Sequence, residues 1–275
     1  MKAEYFGAFI KNGCTVLGAN EGYENLKTIY PFKECVFEKD FEEDHSTKVL
    51  NENSVSDFCM RLKKTIMENK EGFPVTIGGD HSLAIGSVSA SYRENMGLIW
   101  IDAHGDSNTD EITISGRIHG MPVSILQGLG PKKCVEVCEG NYLKPENILF
   151  FGTHALDSLE EKLMHERNMR LVYMEEIREK GIEQCIQTVV DFFKDKELYV
   201  SCDIDSMDPK IAPGVSIPEE GGLFDCDVYQ LLEALFTKCN VIGMDVVEYN
   251  PRTDLDNRTL QIERNLFNLI EKYHK

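Results

Sequence analysis

Gly97-Leu98-Ile99-Trp100-Ile101-Asp102-Ala103-His104-Gly105-Asp106 is the stretch around which the rest of the chain is ordered. Leu98 to Ile101 is a short apolar run, the pattern of a strand buried on both faces, and it ends abruptly in polar residues. If the extension persists, side chains at period two share a face, so Asp102, His104 and Asp106 point together. No basic residue intervenes. Carboxylates that close repel one another, and a cation is the natural means of keeping them ionised. The plainer alternative is a strand end with solvated acids and a capped helix start.

Outward from this stretch, strand and helix patterns alternate along the chain. A first strand at Tyr5 to Ile10 precedes a helix near Gly22 to Ile29, and residues 31–50 are charged loop with a strand. Val55, Phe58, Cys59, Leu62, Ile66 and Met67 recur at helical spacing over 54–71, with Ser54 or Ser56 as cap. Strands follow at 73–77, 97–101, 148–151, 171–173, 198–201 and 241–247. Between and after them lie helices opening at Asp80-His81-Ser82 and spanning 122–127, 158–167, 182–194, 225–237 and 259–273. The alternation, with no repeat, linker or low-complexity segment, predicts one α/β domain over residues 1–275. Its expected form has three layers, with a mainly parallel central sheet and helices on both faces. Ligands in such sheets bind beyond the carboxyl ends of the strands.

Composition narrows the function. With 275 residues, 42% of them hydrophobic, the chain can bury a full core. A net charge of -18 argues against nucleic acid or an anionic membrane and suits a small cationic substrate. The nine cysteines include no Cys-x-x-Cys pair, so reduced thiols in a cytoplasmic protein are expected. Cys134 and Cys138 read as one helix face. The N-terminus lacks the apolar core of a signal peptide, and no run approaches the roughly twenty apolar residues of a membrane span.

Two more polar clusters close expected strands. In Gly78-Gly79-Asp80-His81-Ser82 the glycines permit a tight turn and His81 heads the next helix; in Ser201-Cys202-Asp203-Ile204-Asp205-Ser206-Met207-Asp208-Pro209, Asp203 and Asp205 share a face. Alone, a histidine at a helix start is usually a cap or packing residue, and paired acids are usually solvated. Together His81, Asp102, His104, Asp106, Asp203 and Asp205 supply two imidazoles and four carboxylates at three strand ends. That oxygen-rich, thiolate-free set suits a pair of Mn²⁺ ions better than zinc. Two ions roughly 3.5–4 Å apart can share one water and bring its pKa near neutrality.

These motifs resemble the arginase/agmatinase (ureohydrolase) family, and the resemblance covers nearly the whole chain. Gly-Gly-Asp-His-Ser, Asp-Ala-His-x-Asp and Ser-x-Asp-x-Asp-x-x-Asp-Pro stand in family order. So do Ser115-Gly116-Arg117-Ile118-His119-Gly120-Met121-Pro122, Val247-Glu248-Tyr249-Asn250-Pro251 and the opening Gly18-Ala19-Asn20-Glu21-Gly22. The resemblance implies hydrolysis of a guanidino or formimidoyl group by a hydroxide bridging two manganese ions per subunit. It implies the six residues above as ligands, with Asp106 and Asp203 among the bridging groups. It implies His119 as proton shuttle to the departing amine, Glu248 as the acid holding the guanidinium, and a homotrimer or homohexamer.

The loop after Asp106 looks like arginase, in which residues at the places of Asn108 and Ser115 bind the substrate's α-carboxylate. Three departures bear on specificity. Arg117 stands where arginases have asparagine, Ala155 and His154 replace an acid and an arginine, and of two acids spaced by two only Asp157 remains to meet an α-amino group. Gly105 replaces a common threonine. Arginine is the favoured substrate; agmatine, guanidinobutyrate or another guanidino compound is the alternative. A non-catalytic metal-binding relative would lack a ligand, His119 or Glu248, and all are present. A metal-dependent deacetylase needs a histidine pair and a different spacing.

Overall fold

The computed structural model describes residues 1–39, 44 and 47–275, so part of the charged 31–50 segment lies outside the described residues. Eight strands form one sheet: β1 (Ala3–Phe9), β2 (Phe32–Phe37), β3 (Phe73–Gly78), β4 (Gly97–Ile101), β5 (Ile148–Thr153), β6 (Arg170–Tyr173), β7 (Glu197–Asp203) and β8 (Asn240–Val247). All neighbours pair parallel, in the order β2-β1-β3-β8-β7-β4-β5-β6. The central strands are buried along nearly their whole length, which is why they read as continuous rather than alternating apolar runs.

Helices cover both faces. On one side α1 (Tyr23–Leu26), α7 (Met174–Lys180), α8 (Ile182–Phe193), α9 (Asp225–Lys238) and α10 (Arg258–Tyr273) pack through a shared core. On the other lie α2 (Glu52–Asn69), α3 (Ala84–Ser91), α4 (Pro122–Leu126), α5 (Lys132–Glu136) and α6 (Ser158–Glu166). Spacing explains each stripe: Ile262, Leu266 and Ile270 recur every four residues on α10, and Cys185, Ile186, Val189, Val190 and Phe193 form one side of α8. The expected three-layer α/β architecture is present.

Local detail differs from expectation in three places. Helix α2 begins at Glu52 after Asn51, whose φ is 59°, so neither Ser54 nor Ser56 caps it. Ser54 Oγ instead accepts from Asn12 Nδ2 at 2.6 Å, a contact 42 residues away in sequence. Met67, expected in the buried stripe, is 55% exposed. Helix α7 is not among the sequence-expected helices, because it is short and bracketed by charged residues, while the helix expected around Cys134 and Cys138 is the short α5 and the turn after it.

The strand order places the polar clusters. β3, β8, β7 and β4 are consecutive at the centre of the sheet, and each ends in one of the motifs. Ile101 pairs with Cys202, so Asp102 and Asp203 leave the sheet side by side on adjacent strands. Gly78 and Gly79 let β1 close on β3: a Cβ on either would fall 1.8 Å from Ala8 O or 2.0 Å from Ile10 O. Among the described residues no helix is long and apolar enough to cross a membrane, and all nine cysteines are unpaired.

Candidate metal centre and substrate cleft

One turn chemistry recurs at three of the four strand ends. Asp80 Oδ1 accepts from Ser82 N at 3.0 Å, Asp102 Oδ1 from His104 N at 2.7 Å, and Asp203 Oδ1 from Asp205 N at 2.7 Å. Each aspartate bonds the amide two residues on, so each chain turns instead of continuing extended. Asp102, His104 and Asp106 do converge, as do Asp203 and Asp205, but through these turns and not through strand periodicity. Asp106 itself has φ +44°, and Glu248, just past β8, has φ +69°. A left-handed backbone at a non-glycine residue costs of order 1–3 kcal/mol and persists where surrounding contacts over-determine it.

The side chains form two triads whose ligand atoms lie within 4.8 Å of one another: His81, Asp102 and Asp106, and Asp102, His104 and Asp205. Asp102, not Asp106, is common to both. His81 Nδ1 faces Asp203 Oδ2 at 3.0 Å, Asp102 Oδ2 at 3.1 Å and Asp106 Oδ2 at 3.2 Å. His104 Nδ1 lies 3.3 Å from both Asp102 Oδ1 and Asp205 Oδ2. His81 is held from behind, its ring stacked 3.9 Å from that of Trp100 and its Nε2 2.9 Å from Ser201 Oγ. Trp100 Nε1 donates to Asp102 Oδ2 at 2.8 Å, so one indole positions two members of the cluster.

The electrostatics show what the cluster lacks. Burial pushes the Asp203 carboxyl well above its usual range, and the neighbouring Asp205 and Asp102 push it further. Burial, with Asp102 beside it, lifts Asp205 to about 7. Burial opposes charge on His81 and His104, yet the surrounding carboxylates outweigh it and hold both imidazoles well above their ordinary value. Asp102, against the same burial, is lowered by these two imidazoles. Like charges about 4 Å apart cost about 4 kcal/mol per pair at an effective dielectric of 20. Asp205 Oδ1 is buried without a hydrogen-bond partner, and the donor set of imidazole and carboxylate fits hard or borderline divalent cations.

A cleft of about 400 Å³ opens over this cluster, lined by His104, Asp106, Asn108, Ser115, Arg117, His119, Asp157, Glu160 and Glu219 among others. All three sequence-expected substrate contacts therefore border one cavity, and Asn108 Nδ2 donates to Asp157 Oδ2 at 3.4 Å. A larger cleft of about 560 Å³ adjoins it across Leu156, but none of the clustered acids lines it. His119 Nδ1 lies 3.8 Å from Glu248 Oε1. Burial disfavours its protonated form, but Cys14 and Glu248 reverse that and raise its pKa well above the usual imidazole value. Glu248 Oε1 accepts from His81 N at 2.8 Å, while Glu248 Oε2 is buried with no partner.

Four residues here carried no sequence assignment. Asp80 Oδ2 accepts from Gly13 N at 2.9 Å and Cys14 N at 3.1 Å, tying the first loop to the β3 end and setting Cys14 against His119. Glu160 accepts from Ser107 N at 2.8 Å, and burial lifts its carboxyl to about 8. Its position three residues after Asp157, on the first turn of α6, is the signal that could have found it. Glu219 Oε1 stands 3.8 Å from His104 Nε2 and nothing local marks it.

A sequence model described as the arginase family matches residues 16–269. The chain belongs to the arginase family. An arginase from Staphylococcus aureus (strain MRSA252) is 38% identical over 218 residues, covering 77% of this chain and 72% of its own. The solved arginase from Bacillus caldovelox superposes with a TM-score of 0.90 at 27% identity, covering 98% of both chains. An Entamoeba histolytica arginase solved in complex with L-ornithine gives 0.89 at 25% identity, again covering 98% of both. As an arginase-family member the chain is an amidinohydrolase, a hydrolase of guanidino groups whose family works with a binuclear metal centre.

Proposed function

We propose that this arginase-family chain hydrolyses arginine to ornithine and urea with a pair of Mn²⁺ ions. The observation that carries the reading is Glu248 Oε2, a buried carboxylate oxygen without a partner beside two adjoining ligand triads. A guanidinium, planar and rich in donors, is the group that such an oxygen best accommodates. His81, Asp102, Asp106 and Asp203 would hold one ion, and Asp102, His104 and Asp205 the other, with Asp102 shared. Bound there, two divalent cations supply Lewis acidity that lowers the pKa of a water toward neutrality.

The chain's own residues supply the remaining steps. Glu248 orients the guanidino group with its carbon toward the ligand cluster, where water adds to that carbon. The bond from carbon to the alkyl nitrogen then breaks and His119 gives its proton to the departing amine; of the added water's two protons, one also reaches that amine and the other restores His119. Cys14 and Glu248 beside it shift its pKa upward against burial, which favours the protonated donor. Asn108 and Ser115 receive the α-carboxylate, and Asp157 the α-amino group.

The test is urea released by Mn²⁺-loaded protein from arginine, agmatine and guanidinobutyrate in parallel. Arginine is expected to give the highest kcat/KM. A preference for agmatine removes the arginine reading, and urea from none of the three removes guanidino hydrolysis.

Metal binding has a separate readout. Saturating the centre at about 100 times its Kd is expected to stabilise the fold by about 2.7 kcal/mol, seen as a rise in Tm. At a fixed metal concentration the rise should grow as pH climbs from 3.8 to about 7 and level off above it. Asp205 keeps its proton up to about 7 against an ordinary 3.8, so the metal-free fold loses stability as pH rises through that window. Cations compete with those protons and bind better once they leave. A Tm shift independent of pH would contradict the ligand assignment.

A further inference from the structure

Arg117 lines the substrate cleft and is the one lysine or arginine to do so among the described residues. Its guanidinium makes no hydrogen bond or ion pair with any described residue. Arg264, on α10, shares this among the described residues, but it lies outside the cleft; Arg61, Arg93, Arg167, Arg170, Arg178, Arg252 and Arg258 each donate to a carboxylate, amide or backbone oxygen. A guanidinium with no described partner is notable in a chain of net charge -18, and more so in a cleft that also contains Asp157 and Glu219.

The backbone that carries Arg117 is fixed on both sides. Arg117 N donates to Ser115 Oγ at 3.2 Å, and Gly116 N to Thr113 Oγ1 at 3.0 Å. Leu50 N donates to Gly116 O at 2.9 Å. Gly116 has φ +72°, and a Cβ there would fall 2.1 Å from Lys48 O, so only glycine lets this loop seat so closely. Two residues on, His119 N donates to Gly13 O at 3.3 Å, and Asn108 N donates to Gly120 O at 3.0 Å. The arginine thus sits on an anchored stretch of backbone, two residues after Ser115 on the cleft wall.

A cleft dominated by acids would attract any cation, and a substrate with a guanidinium at one end and an amine at the other would suit it best. Arg117 changes that balance at one place. We propose that Arg117 selects substrates by the charge of their distal end, binding a carboxylate there and repelling a decarboxylated dication. Attraction and repulsion then act together: a guanidino acid gains a charge-assisted, potentially bidentate contact, and its decarboxylated analogue meets a like charge. The inference rests on the guanidino-hydrolase reading and names the residue that discriminates among its substrates.

The experiment compares wild type with Arg117→Ala and Arg117→Lys, each loaded with Mn²⁺. Arg117→Ala is expected to raise KM for arginine about 10- to 100-fold, the loss of one charged hydrogen-bonded contact, with kcat within about threefold. KM for agmatine should stay level or fall. Arg117→Lys should recover part of the loss, because it keeps the charge without the planar fork. Equal changes for arginine and agmatine, the result of a merely structural role, would overturn the proposal; so would an unchanged KM for arginine. Calorimetric titration with ornithine and with putrescine reads the same discrimination without turnover. A wild type that released no urea yet lost ornithine binding on Arg117→Ala would sink the hydrolase reading and keep the Arg117 assignment. Indifference of ornithine binding to either variant would sink the assignment alone.

Discussion

Asp102→Ala is expected to empty both halves of the metal centre and to lower urea production by more than about 10²-fold, since even partners behind a ligand typically cost 10–100-fold when removed. Asp102 is the residue common to the two triads. Its Oδ2 faces His81 Nδ1 at 3.1 Å, and its Oδ1 faces His104 Nδ1 at 3.3 Å. Without it one site keeps only His104 and Asp205 and the other His81, Asp106 and Asp203, and both lose the carboxylate that joins them. The same change leaves Trp100 Nε1 buried without its acceptor, which costs about 1–3 kcal/mol. Tm should therefore fall as well, and metal content must be read on folded protein by elemental analysis. Asp106→Ala is the internal control: Asp106 belongs to one triad only, so that variant should retain more metal than Asp102→Ala. Two ions per chain and full turnover in Asp102→Ala would end the shared-ligand assignment.

Much of this arrangement is legible in the primary structure, and what is not has a physical reason. The apolar runs before Asp102 and Asp203 are buried parallel strands, and the acids that follow do sit at their carboxyl ends. Period two expects these residues to converge, and they do, but for another local cause: side chain-to-amide turns, and in Asp106 a left-handed backbone, bring them together. Sequence separation hides the rest. The cap expected at Ser54 is lost to a bond with Asn12, and Cys14 meets His119 only because Asp80 holds its amide. Glu219 reaches His104 from a loop after β7 with no pattern of its own. Arg117 is legible as a departure from the family asparagine, but its lack of a partner among the described residues is a property of the folded cleft.

Glu248→Gln is expected to lower kcat/KM by about 10²- to 10³-fold, the cost of losing one charge of a buried, hydrogen-bonded pair, while metal content stays at the wild-type level. The substitution is nearly isosteric, so the left-handed turn at φ +69° and the bond from His81 N to Oε1 at 2.8 Å can both survive. What changes is the other end of the group. Glu248 Oε2 is buried without a partner, and a glutamine offers there either an uncharged oxygen or an amide donor, which meets the donors of a guanidinium head-on. His119 is affected too. Glu248 is one of two groups that raise its pKa against burial, so its protonated form should be lost at lower pH, and the alkaline limb of the kcat profile should move down. A purely structural role for Glu248 predicts a lower Tm with substrate kinetics preserved in the folded fraction. Wild-type kcat/KM on the preferred guanidino substrate, with metals in place, would remove Glu248 from guanidinium recognition and leave its unpartnered oxygen without a function.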